Sequence, residues 1–138
     1  MKKNIVGIGV LLETPTETFL FQERDKNLKR NPGRIAPFGG GMDLNEGPLQ
    51  CAIRELSEEL ELEIQKEDLL EIGVFESHYT KQTFIQIYLL KNIVSDNLTL
   101  HEGESIVELS LEDALQNELV TDFTKEVLKS LASREKRN

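Results

Sequence analysis

The residues that follow Gly47 constrain this chain more than any others. Pro48 suits the first helical position, having no N–H to lose and a preset φ, and Gly47 is a tolerable N-cap. On a wheel of about 100° per residue, Ala52, Ile53, Leu56 and Leu60 all fall within about 60° of Leu49. That stripe predicts a helix with one face buried against another layer. The same helix carries Glu55, Glu58 and Glu59 at i, i+3 and i+4, so three carboxylates share a second face. Like charges at that spacing each destabilise an isolated helix by roughly a few tenths of a kcal/mol, which gives the cluster an energetic reason to recruit a cation. Hard oxygen donors select Mg²⁺, Mn²⁺ or Ca²⁺ over zinc. By spacing alone the three acids read as a solvated face rather than a site.

The segment just upstream shifts the balance. Gly39-Gly40-Gly41 is read as opening an irregular loop that runs to Gly47, in which bare backbone can come close to a ligand. Elsewhere, Ile5 to Leu12 and Thr18 to Gln22 read as strands joined across Glu13-Thr14-Pro15-Thr16, with a short strand at Arg34 to Pro37. Leu69 to Tyr79, Gln82 to Leu90 and Ile106 to Leu109 are further strand candidates. Ser110 precedes a small helix to about Gln116, and Asp122 to Leu131 has helical periodicity, with a charged tail from Ser133 expected to fray. Strands mixed with three helices, without strict βαβ alternation, predict an α/β sandwich in one domain, residues 1–138.

Charge narrows the partners. Sixteen Lys and Arg against 25 Asp and Glu leave a net charge of −9, which argues against binding nucleic acid polymers or an anionic membrane surface. A phosphate-bearing ligand would need a local cation, either a metal or placed arginines. The lone Cys51 excludes an internal disulfide, and its glutamate-rich surroundings predict an inert thiol. The N-terminal apolar run is too short for a secretory signal, so a cytoplasmic location is expected.

Gly40, then five residues, Glu46, then seven residues, and Arg54-Glu55-Leu56-Ser57-Glu58-Glu59-Leu60-Glu61-Leu62 closely resembles the signature of the Nudix hydrolase family. Every position of that pattern is met but one. Glu61 stands where the family has the glycine that lets the chain leave the helix in a left-handed conformation, so either the backbone is kept at a cost of about 1 kcal/mol or the helix runs on. Asn45 replaces a frequent glycine, and Asn tolerates positive φ.

The resemblance implies a Nudix-type α/β/α sandwich with a mixed sheet, and roles by position. Glu55, Glu58 and Glu59 would bind Mg²⁺, or Mn²⁺, together with the Gly40 carbonyl, and would act catalytically, Glu58 being the first choice as base. Arg54 would pair with Glu46 to hold the motif together. A further acid from a later loop is expected at Glu102, with Glu104 second, though an acidic hairpin explains both equally. Gly39 and Gly40 would approach the substrate, and Arg24 could contact a phosphate through its planar fork, or simply form a surface ion pair. The implied reaction is hydrolysis of a phosphoanhydride in a nucleoside diphosphate linked to another group, by a monomer or homodimer acting on a small nucleotide. The alternatives are a silent nucleotide-binding module and an isomerase relative, the latter disfavoured because its cysteine motif is missing. His78 and His101 read as loop histidines or as ligands, and Phe38, Phe75, Tyr79, Phe84 and Tyr88 as core or as a base-stacking surface. Specificity is assigned to the loops Asp25–Arg34, Ser77–Lys81 and Ser95–Glu104.

Overall fold

A computed structural model describes residues 3–136. Its strands are β1 (Asn4–Glu13), β2 (Phe19–Glu23), β3 (Ile35–Ala36), β4 (Phe38–Gly41), β5 (Leu70–Glu76), β6 (Thr83–Leu90) and β7 (Ser105–Leu109). Its helices are α1 (Pro48–Leu60), α2 (Leu111–Gln116) and α3 (Asp122–Lys136). All seven strands join one mixed sheet along the path β3-β2-β1-β6-β5, with β4 paired to β1 and β7 to β2. The central β1 runs parallel to β6 and antiparallel to β2 and β4.

The continuous apolar run of β1 follows from its burial on both faces. Alternation sends Val10 and Leu12 to one side, where they meet Ala52, Leu56 and Leu60 of α1. Leu11 goes to the other side, with Ala114 of α2 and Val127, Leu128 and Leu131 of α3. In β6, Tyr88 and Leu90 join the first layer and Ile87 and Leu89 the second. The sheet is therefore filled on both faces, an α/β/α sandwich as expected. Each fully buried leucine in these layers contributes about 1.5–3 kcal/mol.

Three local expectations need correction. Gly39-Gly40-Gly41 does not open an irregular loop but forms most of β4, in register with Gly9, Ile8 and Gly7 of β1. Glycine suits this ladder because the two backbones nearly touch: a Cβ on Gly39 would stand 2.2 Å from the Ile8 carbonyl oxygen, and one on Gly7 would stand 2.8 Å from that of Gly40. The strand expected to reach Tyr79 stops at Glu76, because Gln82 takes a positive φ of 65° and its N–H is held by the Glu76 carboxylate. The tail expected to fray from Ser133 instead stays helical to Lys136, since no Gly or Pro interrupts it; residues 137–138 lie outside the described ones.

The helix ends follow their chemistry. The Gln50 side chain accepts from the Gly47 N–H at 3.1 Å, and Ser110 Oγ accepts from the Asp113 N–H. At the exit of α1 the backbone is kept: Glu61 sits at φ 53°, ψ 34°, its N–H capping Ser57 and that of Leu62 reaching Leu56. Asn45 likewise takes φ 67°. Because a left-handed residue with a Cβ is strained, Glu61→Gly is expected to raise stability by up to about 1 kcal/mol, or roughly 3–5 °C in melting midpoint, read from urea and thermal unfolding. A lower midpoint would show that the Glu61 side chain outweighs its backbone strain.

Candidate active site

The acidic face of α1 is divided between an arginine hub and a buried pair. Arg54 is the hub. Its Nε and Nη2 grip Glu46 at 2.7 and 2.9 Å in a fork, and Nη2 also donates to the Gly41 carbonyl at 3.2 Å. Nη1 reaches Glu55 at 3.1 Å and Glu58 at 3.3 Å, and Asp43 lies 3.3 Å from Nε. Glu46 returns a bond to its own loop, accepting from the Asp43 N–H at 2.9 Å. The arginine therefore ties the β4–α1 connection to the helix. Its hydrogen bonds hold the Glu46 carboxyl down at about 2, while Arg54 itself is pushed up chiefly by Glu46.

Glu59 sits differently from the solvated face that its spacing allows. It is 1% exposed, and its Oε2 accepts from the Gly39 N–H at 3.2 Å. Burial raises its carboxyl to about 9, helped by the charge of Glu55, by a hydrogen bond shared with Glu55 and by the charge of Glu102. Glu55 lies directly under Gly40, where a Cβ would meet its Oε1 at 2.6 Å. The glycines of β4 are thus the wall against which both carboxylates rest. Glu58 is more than half exposed and leans on Arg54. Cys51, beneath the same wall, is pushed up to about 12 mainly by burial, which matches the inert thiol expected.

Among the described residues no three His, Cys, Asp or Glu side chains already converge as a cage for a metal ion. The donor chemistry nevertheless suits a hard divalent cation: two carboxylates are set against each other, one of them is buried, and the charge of a third acid, Glu102, reaches Glu59 from the loop before β7.

A NUDIX domain pattern matches residues 3–131. The chain belongs to the Nudix family. A MutT protein from Methanosarcina mazei Go1 shares its fold over 100% of this chain and 99% of that one, with a TM-score of 0.81 at 21% identity. An Ap4A hydrolase from C. elegans, solved as a binary complex, does so over 96% and 99%, with a TM-score of 0.71 at 20% identity. At these identities the likeness is one of fold. The m7GpppN-mRNA hydrolase NUDT17 of Xenopus laevis is 34% identical over 74 residues, 54% of this chain and 25% of that protein. Its Danio rerio counterpart is 30% identical over 92 residues, 65% of this chain and 31% of that protein. The chain thus spans a quarter to a third of the length of these curated relatives.

On the other side of the Nudix glycine wall lies a cleft of about 830 Å³, which the strand Gly39–Gly41 lines together with Arg24, Arg30, Arg34, Tyr79 and Phe123. Arg24 donates to the Arg30 carbonyl at 3.2 and 3.3 Å and so shapes its own loop. The Arg30 guanidinium stacks 4.5 Å from the Tyr79 ring centre, joining two of the loops assigned to specificity. Of the other aromatics, Phe38 and Tyr88 are buried in the core, Phe75 packs edge-on to Phe123, and Phe84, partly buried, lies under Lys3. His78 is hydrogen-bonded to Glu126 at 2.9 Å, and His101 to Glu61. Glu104 turns its N–H to the Glu23 carbonyl, its side chain remaining exposed.

Sequence reasoning passed over Gly7 and Asp43. A glycine inside an otherwise β-branched strand is the signal that would have found Gly7, since it marks close backbone approach. Asp43 carried no signal, because its contact with Arg54 exists only once β4 is placed.

Two substitutions separate wall from site. Gly39→Ala, whose Cβ would strike backbone at φ 151°, is expected to destabilise the fold, whereas Gly40→Ala meets only a movable carboxylate and should fold while displacing Glu55. Circular dichroism checks the fold, and Mn²⁺ titration checks the acids. Glu46 titrates below its unfolded value of 4.5, so its contribution to stability is complete above that pH and is lost as pH falls toward 2. The stability gap between the wild type and Glu46→Gln, followed by urea unfolding, should close over that window.

Proposed function

We propose that this chain hydrolyses a phosphoanhydride bond in a nucleoside diphosphate linked to another group, a nucleoside triphosphate or related derivative, with Mg²⁺ or Mn²⁺. The observation that carries this is the buried Glu59 set against Glu55 behind the Gly39–Gly40 backbone, which itself lines a cleft whose charged lining includes three arginines. In a chain of net charge −9, such a cleft is where an anionic ligand is least repelled.

Glu55, Glu58, Glu59, Glu102 and the Gly40 carbonyl are the proposed metal donors. The ion, when bound, supplies charge neutralisation at diphosphate oxygens and lowers the pKa of water. Water attacks one phosphorus in line, the bridging P–O bond breaks, and the departing phosphate group takes the bond's electrons. A carboxylate accepts the proton that the water loses. Glu58, the most exposed of the three helical acids, is assigned that role because it can pass the proton on to solvent. Arg54 and Glu46 keep the acids in place and stay outside the chemistry. Arg24 and Arg30 offer cations to phosphate oxygens further out, and Tyr79, half exposed at the cleft, offers a face for a nucleobase.

The whole chain is proposed to act as one domain, a monomer or homodimer in the cytoplasm, with a small nucleotide as its partner. No helix among the described residues is long and apolar enough to cross a membrane. The relatives named for Ap4A and for m7GpppN-mRNA make dinucleoside polyphosphates and capped nucleotides natural members of a substrate panel.

The panel comprises nucleoside triphosphates, dinucleoside polyphosphates, a cap analogue, nucleotide sugars and ADP-ribose, each assayed with Mg²⁺ and with Mn²⁺. Turnover of at least one is expected, and Glu58→Gln and Glu59→Gln should each lower it by roughly two orders of magnitude or more while the fold stays intact. Unchanged metal-dependent phosphate release in both variants would remove these residues from the site. No turnover of any compound would favour a binding module.

A further inference from the structure

We infer that Glu61 and His101 form a latch that positions Glu102 beside the acids of α1; the inference rests on the metal-site reading above. Glu61 occupies a left-handed backbone position that suits glycine, so the exit of α1 by itself gives no reason for a carboxylate there. What that carboxylate does is reach across to Nε2 of His101 at 2.5 Å. The loop that carries His101 is fixed through its backbone as well, for the His101 N–H donates to the Glu59 carbonyl at 2.8 Å and the Thr99 N–H to the Leu60 carbonyl at 3.1 Å. The loop before β7 thus takes up carbonyls that the end of α1 leaves open.

Glu102 follows immediately, and its far side is fixed as well. Its carbonyl accepts from Gln22 Nε2 at 3.0 Å, and the Glu104 N–H donates to the Glu23 carbonyl at 2.8 Å. Between them Gly103, at φ 91°, lies so close to β2 that a Cβ would stand 2.7 Å from Gln22 and 2.8 Å from Glu23. Glu102 is therefore held between the helix that carries Glu55, Glu58 and Glu59 and the strand at the other side of the site. Glu61 and His101 are both about half exposed, and an exposed pair of this kind adds little to folding stability. Its consequence is geometric, since it sets the residue that immediately precedes Glu102. Both are positioning residues that act through Glu102.

The test is Mn²⁺ binding to the full chain, followed by electron paramagnetic resonance with no substrate present, alongside urea unfolding. Glu61→Gly and His101→Ala should each weaken Mn²⁺ binding roughly three- to tenfold, and the double variant should be no weaker than either single one. The unfolding midpoint of Glu61→Gly should be equal to or above that of the wild type, which a purely structural role would not pair with lost affinity. Glu102→Gln should weaken binding at least as much, and adding Glu61→Gly to it should change nothing more. Wild-type affinity in Glu61→Gly or in Glu102→Gln, or losses that multiply in the Glu61/His101 double variant, would overturn the latch. A wild-type chain that binds no Mn²⁺ would overturn the metal-site reading and the latch with it, and that failure appears before any substitution is made.

Discussion

Between β1 and α1 the backbone of β4 fits only because it carries no side chains where the layers meet. Gly39 lies against Ile8, Gly40 against Gly7 on one side and Glu55 on the other, with distances to a hypothetical Cβ of 2.2 to 2.8 Å. This close approach lets α1 pack on the sheet with its acids at the glycine wall, so that Glu59 can be buried and still keep one hydrogen bond from the Gly39 N–H. It also places the cleft directly behind the acids, separated from them by one strand of backbone.

The electrostatics of the site follow from this packing. Arg54 can reach Glu46, Asp43, Glu55 and Glu58, and its charge offsets theirs at the surface. Glu59 is beyond its grip and inside the layer, where desolvation and the facing Glu55 both oppose ionisation. One cation from the protein thus serves Glu46, Asp43, Glu55 and Glu58, and Glu59 is left with its hydrogen bonds to Glu55 and to the Gly39 N–H. That unevenness is what the proposed function draws on: the protein supplies enough positive charge to hold the loop and leaves Glu59 without a cation of the protein's own.

Much of this was legible in the residues themselves. The helix after Pro48, its buried stripe and the caps at Gly47 and Ser110 follow from spacing within a few residues and stand in the structure, and of the two outcomes that the resemblance left open at Glu61 the left-handed exit is the one observed. The Arg54–Glu46 fork was legible only through resemblance, because the two residues are separated by a turn whose path is not local. Gly39–Gly41 were misread as irregular because glycines are equally at home in a loop and in a strand pressed on another backbone, and only the partner distinguishes them. The pairing of Glu61 with His101 had no local sign at all, since the two stand 40 positions apart in the chain.

The amino-acid order by itself determined which segments are helical, which faces are apolar, and that three carboxylates would stand on one helix, because those properties repeat with the period of the backbone. The tertiary structure alone decided that Glu59 would be buried while Glu58 stayed exposed, that Glu102 would arrive at the end of α1, and that Arg30 and Tyr79 would meet across a cleft. These depend on the parallel pairing of β1 with β6 and the docking of the loop before β7, contacts between distant residues that no period along the chain records. The helix Pro48–Leu60 thus carried its three carboxylates from the start, and the sheet decided which of them would be buried.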